Sequence, residues 1–237
     1  MLIKYIDATQ DLSVQLHPND ALAKQRHNSF GKTEMWYIID AEPTSRLVLG
    51  FKDTVDESKY REALSQGNLL SILNEVPVKA GDTFFIPTGT VHAIGSGILL
   101  AEIQQTSDIT YRIYDWDRVD ENGKSRTLHQ EEAIAAINYD FKGEKIHYNS
   151  NDNVSNEMVS CPYFTTNLLS VKGEKAMNKS IDSFTIYMCV SGEAIFRGDC
   201  FSETIKLGET VLIPAALKDF TIEADQVKLL EVFISSN

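Results

Sequence analysis

Cysteine, basic residues and long apolar runs are all scarce in this sequence. Three cysteines are spread over 237 residues without Cys-x-x-Cys spacing, so we expect no disulfide framework and a reducing, cytoplasmic compartment. Lys and Arg total 22 against 34 Asp and Glu, and the net charge of −12 argues against nucleic acid or an anionic membrane as partner. No apolar run approaches the length that spans a bilayer, and the first residues do not resemble a signal peptide.

Apolar and charged residues are present in ordinary proportions, 43% and 24%, which predicts a folded globular chain. Short runs rich in branched and aromatic residues, bounded by Gly, Pro and Asp, indicate an all-β protein with small helical insertions. The spacing of apolar residues predicts helices over 56–73 and 127–138. A polar stretch at 149–156 predicts a loop that divides the chain into domains at 1–148 and 149–237.

An internal repeat is the most informative pattern at this scale. Lys79–His92 aligns without a gap with Lys206–Asp219, so each position of the first copy corresponds to the position 127 residues later. Both copies contain a turn glycine, a buried strand and a proline that ends it, which is typical of the jelly-roll barrel of cupins. We therefore expect two cupin β-barrel domains, and we expect metal ligands only in the first, because Asp219 stands where the first copy has His92.

Four residues of the first domain have the chemistry of metal ligands. Gln15 and His17 lie two positions apart and would project from the same face of a strand. Glu34 begins another apolar strand, and His92 ends the first copy of the repeat. Two imidazoles, a carboxylate and an amide oxygen suit zinc or another divalent metal with an open position.

A dense polar and aromatic cluster follows His92, from Glu102 to Arg118. A solvated, ion-paired strand face would have the same composition. Because the cluster comes directly after the predicted ligands, we interpret it instead as the wall of a pocket for a charged, hydroxylated ligand.

These segments resemble class I mannose-6-phosphate isomerases, in particular the short bacterial members. The motifs that carry the resemblance lie at 13–20, 31–37, 89–93 and 102–118, in the family's order and spacing. The resemblance implies one zinc ion per chain, held by four ligands: Gln15, His17, Glu34 and His92. It also implies that Arg112 is the active-site arginine and that Ser13, Lys32 and Glu102 line the substrate pocket. Family members carry a further N-terminal segment, so the resemblance predicts that strands are missing before Met1.

The expected activity is interconversion of mannose 6-phosphate and fructose 6-phosphate, an aldose–ketose isomerisation. Glu102 is a candidate proton carrier, and Lys32 or a metal-bound water is the alternative; Ser13, Lys32 and Arg112 are candidate phosphate ligands. A sugar phosphate is thus the expected partner. The sequence leaves the oligomeric state open between a monomer and a weak dimer. Two other functions stay open: a catalytically impaired protein that binds sugar phosphate and zinc, and a cupin oxygenase with non-haem iron on His17, Glu34 and His92.

Overall fold

A computed structural model describes residues 1–235 and divides the chain into two compact units, Met1–Lys145 and a second that begins at Ile146. Strands dominate both units, as the sequence predicts. No helix in the described range has the length and apolar character needed to cross a membrane.

The first unit contains nine strands and three α-helices among its described residues. The strands are β1 (Leu2–Ala8), β2 (Val14–Leu16), β3 (Glu34–Ala41), β4 (Arg46–Phe51), β5 (Leu73–Pro77), β6 (Thr83–Ile86), β7 (His92–Ile94), β8 (Ile98–Gln104) and β9 (Tyr111–Tyr114). The helices are α1 (Asp20–His27), α2 (Glu57–Ser65) and α3 (Gln130–Ile134), and a 3₁₀ helix covers Leu69–Ile72.

Two antiparallel sheets form the first unit. One has the strand order β1-β8-β3-β6 and the other β5-β4-β7-β2-β9. Alternate residues of β3 and β4, including Trp36 and Leu49, pack together in one apolar core. A second core joins β2, β4 and β9 to residues of α2 and α3, with Tyr60 fully buried in it. This arrangement leaves the polar residues at the ends of β2, β3, β7 and β8 to form a site.

The second unit contains one antiparallel sheet in the described residues. Its strands are β10 (Ser155–Ser160), β11 (Thr165–Asn178), β12 (Thr185–Gly198), β13 (Phe201–Lys206), β14 (Thr210–Ile213) and β15 (Asp219–Phe233). The order is β10-β11-β15-β12-β13, with β14 also paired to β12. The long strands β11, β12 and β15 bend at irregularities in their register, so that one sheet encloses an apolar core around Tyr187 and Phe196.

The repeat detected in the sequence is present in the structure, down to individual hydrogen bonds. Gly81 and Gly208 both adopt positive φ, 88° and 87°, which favours glycine. Across each of these glycine turns, the amide of the first residue donates to a carboxylate three positions on: Lys79 to Asp82 in the first copy and Lys206 to Glu209 in the second. The strands Thr83–Ile86 and Thr210–Ile213 then begin and end at equivalent residues.

Three local expectations require correction. The predicted helix over 56–73 is an α-helix and a 3₁₀ helix, because Gly67 at φ 64° interrupts it. The predicted helix over 127–138 is reduced to Gln130–Ile134, because His129 donates its amide to the carbonyl of Arg112 at 2.7 Å and so keeps the preceding residues along β9. None of the three sheets closes into a barrel in the described residues, whereas the sequence predicts two barrels.

Candidate metal centre and adjoining cleft

Strand pairing brings the predicted site residues together from distant parts of the chain. Gln15 on β2 lies opposite His92 of β7 on one side and Arg112 of β9 on the other. His17 follows directly after β2, and Glu34 is the first residue of β3. Each of these side chains is therefore fixed by a strand or by the residue next to one, which gives a site more rigid than one built on loops.

His17, Glu34 and His92 converge in the interior, each about 1% exposed. Their potential ligand atoms all lie within 4.8 Å of one another, and no other such group of His, Cys, Asp or Glu is found in the described residues. Nε2 of His17 is 3.5 Å from Oε1 of Glu34, and Nε2 of His92 is 3.8 Å from Oε2. Three of the four predicted ligands thus form one compact, buried cluster.

The hydrogen bonds of the two imidazoles leave Nε2 of each ring for the cluster. Nδ1 of His17 lies 2.8 Å from the carbonyl oxygen of Ile109, and Nδ1 of His92 lies 2.9 Å from that of Thr90. A carbonyl only accepts, so each Nδ1 carries the proton and each Nε2 presents a lone pair. This is the arrangement by which proteins orient metal-ligating histidines.

Burial also keeps both imidazoles neutral. It lowers the pKa of His17 well below the ordinary 6.5, and the charge of Lys32 lowers it further. Burial lowers the pKa of His92 as well, although the Glu34 carboxylate opposes that shift. Neutral imidazole is the form that binds metal, so a metal ion would displace few protons at neutral pH.

Lys32 supplies the positive charge that this cluster contains without metal. Its Nζ lies 2.7 Å from Oε1 of Glu34 and 3.5 Å from Nε2 of His17, and the side chain is 9% exposed. Oε2 of Glu34 is buried and accepts no hydrogen bond within the described residues. A buried carboxylate oxygen without a donor is costly, and a cation between the three side chains would satisfy it. The residues present therefore fit a divalent metal.

The fourth predicted ligand, Gln15, lies beside the cluster but turns its amide nitrogen toward it. Nε2 of Gln15 is 3.5 Å from Nε2 of His92, while its Oε1 accepts a hydrogen bond from Oγ of Ser13 at 3.1 Å. Half a turn about the last side-chain bond would bring the oxygen to face the histidine. Gln15 is half-buried and Ser13 is buried, and both line a cleft that opens to solvent.

Glu102 occupies a separate polar position next to the cluster. It is 4% exposed and accepts hydrogen bonds from Nε1 of Trp36 at 2.9 Å and from Nζ of Lys4 at 2.7 Å. The Trp36 ring in turn meets the His92 ring edge to face, with centroids 5.3 Å apart. The carboxylate is thus held between two donors, and its charge acts on His92.

Arg112 lies at the wall of a basic cleft on the other side of Gln15. Its Nη1 donates to the carbonyl of Thr127 at 3.1 Å, and its pKa is lowered, chiefly by burial and then by Arg126. Asp115, which is 6% exposed, pairs with Arg126 and, at 2.6 Å, with Arg118. A cavity of about 720 Å³ is lined by all three arginines and by Asp115, with an excess of positive charge that suits an anion.

Sequence reasoning missed Lys4 and Arg126. Lys4 reaches Glu102 only because β1 and β8 pair with these two residues opposite each other, and Arg126 approaches Asp115 across a turn of eleven residues. Neither position has a local motif. The branched and aromatic residues on either side of Lys4 indicate a strand over residues 2–8, and this is the signal in the sequence that could identify Lys4.

Comparison with known proteins gives consistent matches. Residues 155–234 match the family model described as the cupin domain of mannose-6-phosphate isomerase. The chain is 37% identical over 227 residues to mannose-6-phosphate isomerase ManA of Bacillus subtilis, which covers 94% of this chain and 71% of the relative. It is 32% identical over 227 residues to mannose-6-phosphate isomerase of Streptococcus mutans, covering 95% of this chain and 71% of the relative.

Solved structures match at the level of the fold as well. The crystal structure of mannose 6-phosphate isomerase from Bacillus subtilis superposes with a TM-score of 0.88 and 30% identity, covering 98% of this chain and 74% of that one. A phosphomannose isomerase structure from Salmonella typhimurium gives a TM-score of 0.76 over 99% of this chain and 79% of that one; at 17% identity it supports the fold alone.

Proposed function

The chain belongs to the mannose-6-phosphate isomerase family, and we propose that it interconverts mannose 6-phosphate and fructose 6-phosphate at a zinc centre in its first unit. The observation that carries this proposal is the buried cluster of His17, Glu34 and His92, whose potential ligand atoms lie within 4.8 Å of one another and include a carboxylate oxygen without a hydrogen-bond donor among the described residues. An aldose–ketose isomerisation needs an electrophile at the carbonyl oxygen, and a metal ion on this cluster would supply it.

We propose one zinc ion per chain on these three residues, with Gln15 as the fourth ligand after its amide has rotated. Imidazole and carboxylate are usual zinc ligands, and a site with few protein ligands keeps a position for substrate. When bound, the metal would act as a Lewis acid on the oxygen atoms of the open-chain sugar.

Glu102 is the proposed proton carrier. The isomerisation moves one proton between C2 and C1 and a second between the hydroxyl and carbonyl oxygens on those carbons. A single carboxylate can remove the first from one carbon and return it to the other, and the second would pass between O2 and O1 through the enediol. Lys4 and Trp36 hold the two oxygens of Glu102 at fixed positions and leave lone pairs for that transfer. Lys32, at 2.7 Å from Glu34, is the alternative carrier and also a donor to the sugar oxygens.

The phosphate is expected at the basic wall. Arg112 is a guanidinium that can bind phosphate with two parallel hydrogen bonds. It also lines the neighbouring cleft of about 380 Å³ at Gln15, where Ser13 contributes a hydroxyl. Asp115 keeps Arg118 and Arg126 in place beside it. With Lys32 near the metal centre, all residues proposed for phosphate and sugar lie in the first unit.

The same proposal extends to the architecture. We take each unit to be a cupin jelly roll, with domains at 1–148 and 149–237 and metal ligands only in the first. The repeated glycine turns and the equivalent strands β6 and β14 support a common plan for the two units. The family model over residues 155–234 supports the cupin nature of the second.

A coupled assay of metal-replete protein tests the proposal. We expect the wild type to convert mannose 6-phosphate to fructose 6-phosphate, and Arg112→Ala to lose at least about 100-fold in kcat/KM because the site loses a charged anchor for the phosphate. Arg61→Ala is the matched control, since Arg61 pairs with surface carboxylates on and beside α2.

Three results would contradict this proposal in whole or in part. Zinc and sugar phosphate binding without turnover would make the chain a binding protein, and turnover left intact in Arg112→Ala would remove the role given to that residue. Iron rather than zinc in protein purified without added metal would instead favour oxygenase chemistry on the same three side chains.

A further inference from the structure

The second unit contains a buried carboxylate that the proposed reaction does not use. Glu231 on β15 is 7% exposed and accepts hydrogen bonds from the hydroxyl of Tyr187 and from Nδ2 of Asn167, each at 2.9 Å. Both donors are neutral, and among the described residues no cationic side chain lies within hydrogen-bond distance of Glu231. A buried carboxylate costs free energy unless it is paired and fully hydrogen-bonded, so a further partner for Glu231 would lower that cost.

The position of Glu231 repeats that of Glu102 in the first unit. Glu102 lies opposite Trp36 of β3, and Glu231 lies opposite Tyr187 of β12. In both units the facing aromatic residue donates a hydrogen bond to the carboxylate.

The strand on the other side repeats the pattern. Lys4 lies opposite Glu102 in β1, and Asn167 lies opposite Glu231 in β11. Each donates a hydrogen bond from its side chain. The second unit therefore contains the same carboxylate held by two donors, built from different residues.

The metal ligands have no counterpart at the equivalent positions. Glu34 lies opposite Ile86, and Thr185 lies opposite Ile213, so a threonine replaces the metal-binding carboxylate. Asp219, at the position of His92 in the repeat, is exposed and bonded to Asn178 at 2.6 Å. Within the part of the chain that the structure describes, no cluster of potential metal ligands forms in this unit.

A buried ammonium supplies the positive charge instead. Lys179 is 7% exposed, and its Nζ donates to the carbonyls of Ser183 at 3.0 Å and of Pro214 at 3.1 Å. The charge of Glu231 acts on it. The unit thus contains a fixed cation of the chain that lines the same cavity as its buried carboxylate and is held by carbonyl oxygens.

These groups line one cavity of about 310 Å³, a volume at the lower end of small-molecule sites. Thr185 contributes a hydroxyl that is buried, at 2% exposure, and has no hydrogen-bond partner among the described residues. Carboxylate, amide and hydroxyl groups at the wall of a small cavity can bind adjacent hydroxyl groups of a ligand. The carboxylate accepts hydrogen bonds from such hydroxyls, and the amide and the hydroxyl can both donate and accept.

We propose that this cavity is a second, metal-independent binding site for a small polyhydroxylated molecule, a monosaccharide or its phosphate ester, with Glu231, Asn167 and Thr185 binding its hydroxyl groups. The site is separate from the proposed isomerase centre, and its occupation does not depend on turnover there. Both kinds of ligand present a run of neighbouring hydroxyl groups. The titration described next distinguishes the free sugar from its phosphate ester.

Nuclear magnetic resonance of the chelator-treated 237-residue chain tests this. The Thr185 methyl and the Asn167 side-chain amide are followed while mannose, mannose 6-phosphate or inorganic phosphate is added. We expect saturable shifts at both probes with mannose, with mannose 6-phosphate, or with both. In Thr185→Val and Glu231→Gln the dissociation constant should rise at least about tenfold, whereas turnover at the first unit stays unchanged.

Thr166→Val is the matched control, because Thr166 also carries a buried, unpartnered hydroxyl but does not line the cavity. Its titration should equal that of the wild type. The absence of a saturable shift with either sugar would overturn the proposal. So would shifts of the Asn167 side-chain amide in Thr185→Val that equal those in the wild type. Shifts produced by inorganic phosphate and not by mannose would make the cavity an anion site and would also overturn it. If Glu231→Gln does not fold, the comparison of the two threonine variants still decides.

Discussion

Replacing Lys32 with methionine should weaken the metal-free protein and strengthen zinc binding. The Lys32 ammonium is 2.7 Å from the Glu34 carboxylate, and both groups are buried. Two unit charges at that distance attract by roughly 6 kcal/mol at an effective dielectric of about 20. Removing one partner of a buried pair costs about 3–5 kcal/mol, because the other charge stays buried alone.

The same ammonium opposes a metal ion. It lies 3.5 Å from Nε2 of His17, one of the atoms that would bind the metal, so it repels any cation placed there. Without Lys32, the negative charge of Glu34 is left for the metal to neutralise. We expect the zinc affinity to rise at least about 30-fold, or about 2 kcal/mol, so that zinc recovers most of the lost stability.

Urea unfolding followed by tryptophan fluorescence measures this directly. The two tryptophans, Trp36 and Trp116, both belong to the first unit, so the signal reports that unit alone. Lys32→Met should lower the free energy of unfolding by about 3 kcal/mol with chelator present and by less than about 1 kcal/mol with zinc. Lys52→Met, at an exposed position, is the control. Unchanged stability without metal, combined with weaker zinc binding, would refute the reasoning.

Three further predictions concern the first unit. Burial lowers the pKa of His17 and His92 below 6.5, so below that pH the unfolded chain binds more protons than the folded chain does. The melting temperature of metal-free protein should therefore fall as the pH drops from 6.5. A melting temperature that does not change with pH would contradict this. Gly89→Ala should cost at least about 2 kcal/mol more than Gly123→Ala in urea unfolding, since both glycines have positive φ but only the first would place its methyl 2.6 Å from a backbone oxygen; equal costs would refute it. Asp115→Asn should destabilise by about 1–2 kcal/mol, and added salt should shrink the loss by screening the unpaired arginines, whereas a salt-independent loss would point to packing.

Sequence predicted the parts of the fold that local chemistry determines. The strands Thr83–Ile86 and Thr210–Ile213 are found at the predicted residues, because the glycine turn before each and the proline after each set their ends. Helix α1 is not predicted from the sequence. Only Ala23 of that helix is buried, so it lacks the apolar periodicity that identifies a helix, and its clearest signal is the side chain of Asn19 that caps its first turn.

The candidate site likewise contains residues that the sequence predicts and residues that only the structure reveals. His17, Glu34 and His92 stand in short motifs and converge in the structure, whereas Lys4 reaches Glu102 through strand pairing alone. Which residue faces which across two strands depends on the register of the whole sheet, and a shift of one residue would turn Lys4 to the opposite side. The donors to buried carboxylates in both units are therefore the part that required a structure.

Zinc titration of chelator-treated protein, with the isomerase assay run at each point, tests the central claim most directly. We predict negligible turnover of mannose 6-phosphate without metal, full activity at one zinc per chain, and loss of both zinc binding and turnover in Glu34→Gln, where an amide replaces the carboxylate between the two histidines. Turnover that persists without metal, or that Glu34→Gln retains at saturating substrate, would contradict the account.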